Sequence, residues 1–352
     1  MTPQVQKNST VGLGYLLDDR YLLHDPGIEH PESPRRLVAI KQALEAHSLS
    51  KHWARLQPRM ASIDELMLVH DLEYIEYVEH ASQRAPIYLE IDTSISTESY
   101  HTSLLAAGGL LECMDSICTG QLQRIFAFVR PPGHHADRKN AKGFCLFNNI
   151  ALAAAYARKR HKIERLAIVD FDVHHGNGTQ SCFYGSPDVL YISSHQFPFY
   201  PGSGDFSEVG IGRGKGYTLN FPLPKGTEDS DFISIFSKII AIVLDQFAPQ
   251  LVLVSAGFDG HYRDPLGGLN LTDFGYVSAA ASLIRAAEKW CDGKICFVLE
   301  GGYDLQALKE CCHSIMNTME KRSPPESRAR EGSVFHQAVK QLTRFTGGLW
   351  KL

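Results

Sequence analysis

The chain has 352 residues, of which 44% are hydrophobic and 21% are charged, and its formal net charge is −4 at pH 7. This length supports a large hydrophobic core, and the slightly acidic balance argues against nucleic acid or an anionic membrane as a partner. The N-terminal segment MTPQVQKNSTVGLGYLLDD lacks the apolar stretch of a secretory leader, and no run reaches the roughly 18 apolar residues of a membrane span, so we expect a cytoplasmic protein.

Five short apolar runs, rich in β-branched and aromatic residues, are predicted to be strands. They are RIFAFV (124–129), RLAIVDF (165–171), VLYISS (189–194), QLVLVSA (250–256) and KICFVLE (294–300). Segments with helical spacing lie before or between most of them, at 101–117, 149–159, 231–247 and 272–290. Apolar strands that alternate with helices predict an α/β fold with a mainly parallel sheet flanked by helices on both faces.

The last part of the chain is predicted to be a docked helix. A Pro-rich, charged stretch (321–332) precedes it, and Phe335, Val339 and Leu342 fall on one helical face. We expect this face to pack on the chain's own core, with an oligomer contact as the alternative. Residues 1–352 then form a single domain, with a core over about 10–320 and a C-terminal helical extension over about 333–352.

The eight cysteines are scattered along the chain and include no C-x-x-C pair. Neither a disulfide framework nor a structural zinc cluster is therefore predicted. We expect the cysteines to be mostly buried, reduced thiols.

Polar residues gather where the predicted strands end. RPPGHH, DFDVHHGNG, SHQFPFYPGSG, GFDGHYRDPLGG and EGGYD each follow one of the five strands. The carboxyl ends of parallel strands meet at one edge of a sheet, and ligands bind there. We therefore expect these five loops to form one site.

The stretch DFDVHHGNG (170–178) is either a tight polar turn, part of a metal site, or both. If the chain stays extended after the strand, Asp170, Asp172 and His174 alternate and point to one side. Asp172 and His174, with Asp259 from another strand end, supply two oxygens and one nitrogen. That donor set is typical of a catalytic zinc site with one open position, so we predict one divalent metal ion here.

The other strand ends offer acid–base and oxyanion chemistry. His134 and His135 provide imidazoles that can act as a general base near neutral pH, and Asp170 is placed to orient one of them. Two glycines precede Tyr303 and give the backbone freedom to bring its hydroxyl into the site, where it could stabilise an oxyanion.

Together these motifs resemble the zinc-dependent histone deacetylase family, including bacterial acetylpolyamine amidohydrolases and acetoin-utilisation proteins, and particularly its class II-like branch. Besides the strand-end loops, the motifs are GFCLFNNIALAA, NFPLP, HPESPRRL (30–37) and VHDLEYIEYV (69–78). The resemblance runs from about residue 10 to about 320 and implies an arginase/deacetylase-type fold. It implies this catalytic set: Asp172, His174 and Asp259 as ligands of one Zn²⁺ ion, His135 as general base, His134 paired with Asp170, and Tyr303 at the substrate carbonyl.

The resemblance also implies a substrate tunnel. Phe144 and Tyr200 are expected as its two walls, with Gly143 beside Phe144. Asp92 is a candidate acid on the entrance loop that accepts substrate N–H groups, or else an aspartate that caps a local element. Leu266 stands where polyamine-preferring eukaryotic relatives carry a glutamate, which lowers a polyamine assignment without removing it.

Two further features follow from the resemblance. Arg36 is similar to the arginine that lines an internal cavity beyond the metal. A structural K⁺ ion is expected in a loop held mostly by backbone oxygens of Asp170, Asp172, His174, Ser193 and Ser194.

Two positions depart from relatives with other chemistry. The two-manganese arginases carry an acid where this chain has Gly176, so one catalytic metal is expected. Many class I deacetylases place an aspartate where this chain has Asn177. An uncharged partner does not raise the pKa of His135, which suits a base that must be neutral before the reaction.

The predicted function is a zinc-dependent amidohydrolase that removes acetyl or other acyl groups from the ε-amine of acetyl-lysine in proteins or peptides. The alternative is an acetylpolyamine amidohydrolase acting on small N-acetylated amines. A silent acyl-lysine binding module is disfavoured because the ligands, the base and the tyrosine are all present, and a ureohydrolase is disfavoured by Gly176. No nucleic acid or membrane partner is expected, and a homo-oligomer stays open.

Overall fold

The computed structural model describes residues 12–46, 52–321 and 329–352. Eight parallel strands form its central sheet, in the order β2-β1-β5-β10-β9-β6-β7-β8. These strands are β1 (Leu13–Leu16), β2 (Ala54–Leu56), β5 (Arg124–Ala127), β6 (Leu166–Asp170), β7 (Val189–Gln196), β8 (Thr218–Leu223), β9 (Leu251–Ala256) and β10 (Ile295–Leu299). A separate antiparallel pair comprises β3 (Ile87–Glu90) and β4 (Thr93–Ile95).

Helices flank the sheet and connect its strands. They are α1 (Arg35–Ala46), α2 (Ile63–Leu66), α3 (Leu72–Gln83), α4 (Ser99–Cys118), α5 (Asn149–His161), α6 (Asn177–Phe183), α7 (Asp229–Ser234), α8 (Ala241–Phe247), α9 (Asp273–Trp290), α10 (Leu305–Lys321) and α11 (Ser333–Phe345). Between α7 and α8 a π-helical turn, Ile235–Ile240, keeps the helical path continuous. Among the described residues, no helix is both long and apolar enough to span a lipid bilayer.

All five predicted strands and the four predicted helical segments are confirmed. Strands β5, β6, β7, β9 and β10 are buried along their whole length. Burial on both faces explains why their sequences are continuously apolar. The predicted α/β class with a mainly parallel sheet is therefore correct.

Three strands of the main sheet were not predicted. β1 and β2 have only four and three residues, and both are partly exposed, so they carry no distinct apolar pattern. β8 alternates polar Thr218 and Asn220 with apolar residues and contains Pro222. Proline has no backbone N–H and so cannot donate to a neighbouring strand on a second side. β8 tolerates Pro222 because it is an edge strand, with a neighbour on one side only.

The C-terminal helix docks as predicted. In α11, Ala338 and Leu342 are buried, while Phe335 and Val339 pack against the core. Trp350 is buried beyond it and donates its indole N–H to the carbonyl of Gly216 at 2.8 Å. The oligomer contact and the single-domain organisation stay predictions. The predictions for the N-terminal segment and for the Pro-rich stretch include residues that lie outside the described part of the chain, namely 1–11 and 322–328.

All eight cysteines are free, and six of them are buried. The prediction that the cysteines are mostly buried is confirmed.

Candidate active site

The loops after β5, β6, β7 and β10 line one cavity at the carboxyl edge of the sheet, with a volume of about 180 Å³. The loop after β9 contributes Leu266 to its wall. The cavity is lined by Asp92, Pro132, His134, His135, Gly143, Phe144, His174, Tyr200, Leu266, Gly301 and Tyr303. The predicted convergence of the strand-end loops is confirmed.

Asp172, His174 and Asp259 form a compact cluster at this cavity. One ligand atom from each lies within 4.8 Å of the others, and both aspartates are fully buried. The Nδ1 atom of His174 is 3.2 Å from Asp172 Oδ1 and 3.1 Å from Asp259 Oδ2. Two carboxylates and an imidazole that converge in a buried space can supply three ligands to a divalent cation.

Electrostatics also favour a cation at this cluster. Burial and the negative charge of Asp172 raise the pKa of Asp259 to about 7. Burial opposes ionisation of Asp172 as well, but the charges of His134 and His174 hold its pKa well below the usual range. Two buried carboxylates so close together are costly without compensating positive charge. The donor set therefore fits a metal ion such as Zn²⁺.

The chain does not stay extended between Asp170 and His174, so the condition under which all three side chains would point to one side is not met. β6 ends at Asp170, and the backbone N–H of Asp172 donates back to Asp170 Oδ1 at 3.1 Å. The N–H of His174 then donates to Asp172 Oδ1 at 2.9 Å. These local bonds bend the chain, because short acidic side chains compete for nearby backbone N–H groups. Asp170 consequently faces His134 rather than the Asp172–His174–Asp259 cluster.

Gly176 has no room for the second acid of a two-metal site. A Cβ atom there would lie 2.2 Å from Asp170 Oδ2 and 3.1 Å from His134 Nδ1. The stretch DFDVHHGNG is therefore both a bent turn and the source of two candidate ligands.

His134 and His135 are held by different partners. His134 Nδ1 lies 3.0 Å from Asp170 Oδ2, whereas His135 Nδ1 lies 2.8 Å from Asn177 Oδ1. Both imidazoles are 3% exposed, and their ring centres are 4.0 Å apart. One histidine therefore has a charged partner and its neighbour a neutral one, as the sequence predicts.

The two histidines consequently differ in charge. Burial by itself lowers the pKa of His134, but the carboxylates of Asp170, Asp172 and Glu300 outweigh it and raise the pKa to about 10. Burial and the positive charge of His134 hold the pKa of His135 well below its usual value. At neutral pH the arrangement favours an imidazolium at His134 and a neutral imidazole at His135.

Glu300 supports the histidine pair and was not identified from the sequence. Its Oε2 atom accepts the backbone N–H groups of Gly133 at 2.7 Å and His134 at 3.1 Å. The side chain is fully buried, and burial raises its pKa to about 7. Within the described part of the chain, its Oε1 atom has no hydrogen-bond partner. A charged residue directly after a fully apolar strand was the signal that could have identified it.

Tyr303 reaches the cavity along a glycine-dependent path. A Cβ at Gly301 would lie 2.2 Å from Asp259 Oδ2, and Gly302 has a φ of +115° that favours glycine. The Tyr303 ring meets the edge of Phe144 at 5.9 Å. Burial and the charge of Asp259 raise the pKa of Tyr303 well above its usual value, so its hydroxyl stays a donor.

Arg36 lies behind Tyr303 in a buried charge cluster. Its Nε donates to the carbonyl of Gly302 at 2.7 Å, and its guanidinium is 5.0 Å from the centre of the Tyr303 ring. Glu32 accepts from Arg36 at 3.0 Å and from Arg130 at 2.5 Å. The sequence indicated Arg36, but it indicated neither Glu32 as its partner nor Arg130 as the second cation at Glu32.

Phe144 and Tyr200 lie on the cavity wall as predicted. Tyr200 contacts the edges of His135 at 5.2 Å and His174 at 5.9 Å. Phe199, which was not singled out, stacks on His174 with ring centres 5.3 Å apart and planes inclined by 16°. The aromatic loop therefore packs against a candidate ligand and also lines the cavity.

Asp92 lies at the cavity wall in the turn between β3 and β4. Its Oδ1 atom accepts from the Thr93 hydroxyl at 2.8 Å and from the N–H of Gly143 at 3.2 Å. This position is compatible with both predicted roles of Asp92, as an acid for substrate N–H groups and as an aspartate that caps a local element. Its contact with a substrate stays a prediction.

Ser193 and Ser194 lie on β7, away from the cavity. The hydroxyl of Ser194 donates to the Asp170 carbonyl at 3.4 Å, and Ser193 Oγ is 2.8 Å from His195 Nδ1. Both serines are buried. Their part in a K⁺ site stays a prediction.

Comparison with known proteins gives consistent matches. Residues 30–319 match the family described as "Histone deacetylase domain". The chain is 39% identical over 295 residues to a "Probable deacetylase" of Archaeoglobus fulgidus, covering 83% of this chain and 82% of that protein. It is 38% identical over 321 residues to human "Polyamine deacetylase HDAC10", covering 88% of this chain but 47% of that protein.

A solved structure confirms the predicted fold. The structure described as "Crystal Structure of HDA15 HD domain" superposes with a TM-score of 0.88 at 35% identity and covers 97% of this chain and 96% of that one. The expected arginase/deacetylase-type fold is therefore correct.

Proposed function

Because the chain belongs to the histone deacetylase family and is therefore a hydrolytic deacetylase, we propose that it uses one Zn²⁺ ion to deacetylate the ε-amine of acetyl-lysine in proteins or peptides. The observation that carries this proposal is the histidine pair beside the Asp172–His174–Asp259 cluster, with Asp170 at His134 and Asn177 at His135. A binding module would not require one neutral and one charged imidazole facing the same cavity.

Asp172, His174 and Asp259 would hold the zinc ion. When bound, the ion supplies Lewis acidity toward the amide carbonyl and lowers the pKa of a water molecule. The remaining chemistry belongs to side chains of this protein.

His135 acts as the general base. Its Nδ1 is directed at the amide oxygen of Asn177, so the neutral ring carries its proton on Nδ1 and leaves the Nε2 lone pair free. That atom takes the proton from the attacking water. The low pKa of His135 ensures that the lone pair is available at neutral pH.

His134 acts as the acid for the leaving amine. Asp170 accepts the Nδ1 proton, and Nε2, which is 3.8 Å from Asp172 Oδ1, carries the second proton. Tyr303 donates its hydroxyl proton in a hydrogen bond to the developing oxyanion. Protonation of the amine breaks the amide bond and releases lysine and acetate.

The acetylpolyamine alternative is supported by the similarity to human polyamine deacetylase. Leu266 opposes it, because at this position the cavity wall offers an apolar side chain and not a carboxylate to a distant ammonium group. Lysine in a peptide, which presents no such charge at the far end, fits this wall better.

A structural K⁺ ion and a cytoplasmic location remain part of the proposal. The oxygen donors around Asp170, Ser193 and Ser194 are of the type that hard cations prefer. Retention of K⁺ after dialysis, measured by elemental analysis, tests the ion.

The experiment compares acetate release by the zinc-loaded protein from acetyl-lysine peptides and from N-acetylated putrescine, cadaverine and spermidine. We expect kcat/KM to be higher for the peptides. Higher values for the acetylated polyamines would establish the alternative, and no release from any of them would contradict the proposed function. Leu266→Glu is the matched variant, which we expect to shift the ratio toward polyamines.

A further inference from the structure

Asp264 connects two loops of the active site. It is 7% exposed, and its carboxylate accepts three backbone N–H groups. Oδ1 accepts from Leu266 at 3.0 Å. Oδ2 accepts from Tyr303 at 2.6 Å and from Asp304 at 3.0 Å. Hydrogen bonds from backbone N–H groups to an ionised carboxylate are among the stronger ones in proteins.

The segment before Tyr303 is held by other groups. The N–H of Gly301 donates to Asp172 Oδ2 at 2.8 Å, and the carbonyl of Gly302 accepts from Arg36. These bonds fix the chain only up to Gly302. Gly302 has a φ of +115°, a conformation open to glycine, so these bonds alone do not fix the direction of the next residue.

Asp264 acts on the far side of this glycine. Its bonds to the N–H groups of Tyr303 and Asp304 fix the backbone from which the tyrosine side chain projects. The Tyr303 ring is otherwise guided by the edge of Phe144 at 5.9 Å and the guanidinium of Arg36 at 5.0 Å. Such ring contacts tolerate sliding more readily than short hydrogen bonds do.

We propose that Asp264 is a positioning residue for Tyr303, holding its hydroxyl at the height where the substrate carbonyl lies. This inference rests on the proposed function, in which Tyr303 donates to the oxyanion. A misplacement of about 1 Å in an active site can cost about 100-fold in rate. The same carboxylate also binds the N–H of Leu266, so it ties the tyrosine to one wall of the cavity.

The test is a double-mutant cycle between Asp264→Ala and Tyr303→Phe, with kcat and KM measured on an acetyl-lysine peptide at high enzyme concentration. Asp264→Ala should lower kcat roughly 10- to 100-fold in the parent, with little change in KM. In the Tyr303→Phe background it should cost less than about threefold, because no hydroxyl is left to misplace. Asp264→Asn keeps one oxygen that can face Tyr303 and should recover much of the loss.

Asp229→Ala is the matched control. Asp229 also accepts a backbone N–H and a hydroxyl, both from Thr272, at 2.9 and 2.6 Å, but none of these atoms lines the cavity. We expect this variant to lower Tm while leaving kcat within about twofold in both backgrounds.

Equal losses from Asp264→Ala in both backgrounds would overturn the inference, as would a loss confined to KM. If Asp264→Ala does not fold, Asp264→Asn enters the same cycle, and unfolding of both would show that the carboxylate holds the fold rather than the tyrosine. The proposed function fails in a different way, through a parent enzyme without activity or a Tyr303→Phe protein as active as the parent.

Discussion

Replacing Asp170 by asparagine tests the charge arrangement of the histidine pair. The asparagine oxygen can still accept the N–H of Asp172, so the bend after β6 is preserved. Its NH₂ group then faces His134 Nδ1, which is a hydrogen-bond donor in the parent. Two donors cannot share that contact, so His134 must give up its Nδ1 proton and become neutral.

The size of the effect follows from the pKa of His134. A pKa of about 10 in place of the ordinary 6.5 corresponds to a preference for the imidazolium on the order of 5 kcal/mol. Among the three carboxylates that raise the pKa of His134, Asp170 has the largest effect. Loss of its charge should therefore return the pKa of His134 toward the ordinary histidine range. A bound metal cation lowers the pKa in parent and variant alike, so the comparison is made between the two proteins. We expect kcat to fall about 10³- to 10⁴-fold, by analogy with wrong-tautomer variants of other histidine–aspartate pairs.

The assay is the pH dependence of kcat/KM on an acetyl-lysine peptide, with zinc content measured in the same samples. Activity that needs a charged His134 is present below its pKa and is lost as the pH rises through it. The alkaline limb of the profile should therefore move to lower pH in Asp170→Asn. Asp115→Asn is the control, because Asp115 pairs with His161 at 2.6 Å away from the cavity. An unchanged alkaline limb with full zinc content and a fold intact by circular dichroism would refute the reasoning.

Three further predictions concern the tyrosine, the metal cluster and the buried charges. Tyr303→Phe should fold and keep zinc but lose about 100- to 1,000-fold in kcat, measured by acetate release; parent-like activity would contradict its role as oxyanion donor. Asp172→Ala should lose zinc by elemental analysis while circular dichroism shows an unchanged overall fold, and retention of one equivalent of zinc would argue against Asp172 as a ligand. Glu32→Gln leaves Arg36 and Arg130 without a buried counter-charge and should cost about 3–5 kcal/mol in the free energy of unfolding at pH 7. Burial opposes ionisation of Glu32, but the charges of Arg130 and Arg36 and the hydrogen bond from His24 hold its folded pKa below the unfolded value of 4.5. The stabilisation from Glu32 is therefore complete above about pH 4.5 and is lost as the pH falls toward the folded pKa. Calorimetry should show that the Tm difference between the parent and Glu32→Gln narrows in acid. A Tm difference independent of pH would contradict the assignment.

The parts of the fold that surround the site could be predicted because they are buried on both faces. β6 and β9 position Asp172 and Asp259. β6 is apolar up to its last residue, Asp170, and β9 is apolar up to Ser255, its last residue but one. The polar loops after them therefore stand out in the sequence. The short strands β1 and β2 and the edge strand β8 could not be predicted in the same way, because partial exposure, short length or an internal proline removes the pattern.

The supporting contacts of the site could not be predicted from local patterns. Glu32 and Arg130 are 98 residues apart in the chain, and only the tertiary fold brings them together. Asp264 and Glu300 bind backbone N–H groups, which nearly every residue offers, so no residue type marks their partners. The bend after Asp170 likewise depends on side-chain-to-backbone bonds that compete with an extended path.

The most direct test of the central claim is whether acetate release depends on a metal ion held by Asp172, His174 and Asp259. The purified protein is stripped with a chelator, assayed on an acetyl-lysine peptide, and assayed again after addition of one equivalent of Zn²⁺, alongside Asp259→Ala treated in the same way. We predict that stripping abolishes release, that zinc restores it in the parent, and that Asp259→Ala is not restored. Full activity of the stripped parent, or equal restoration of Asp259→Ala, would contradict the account.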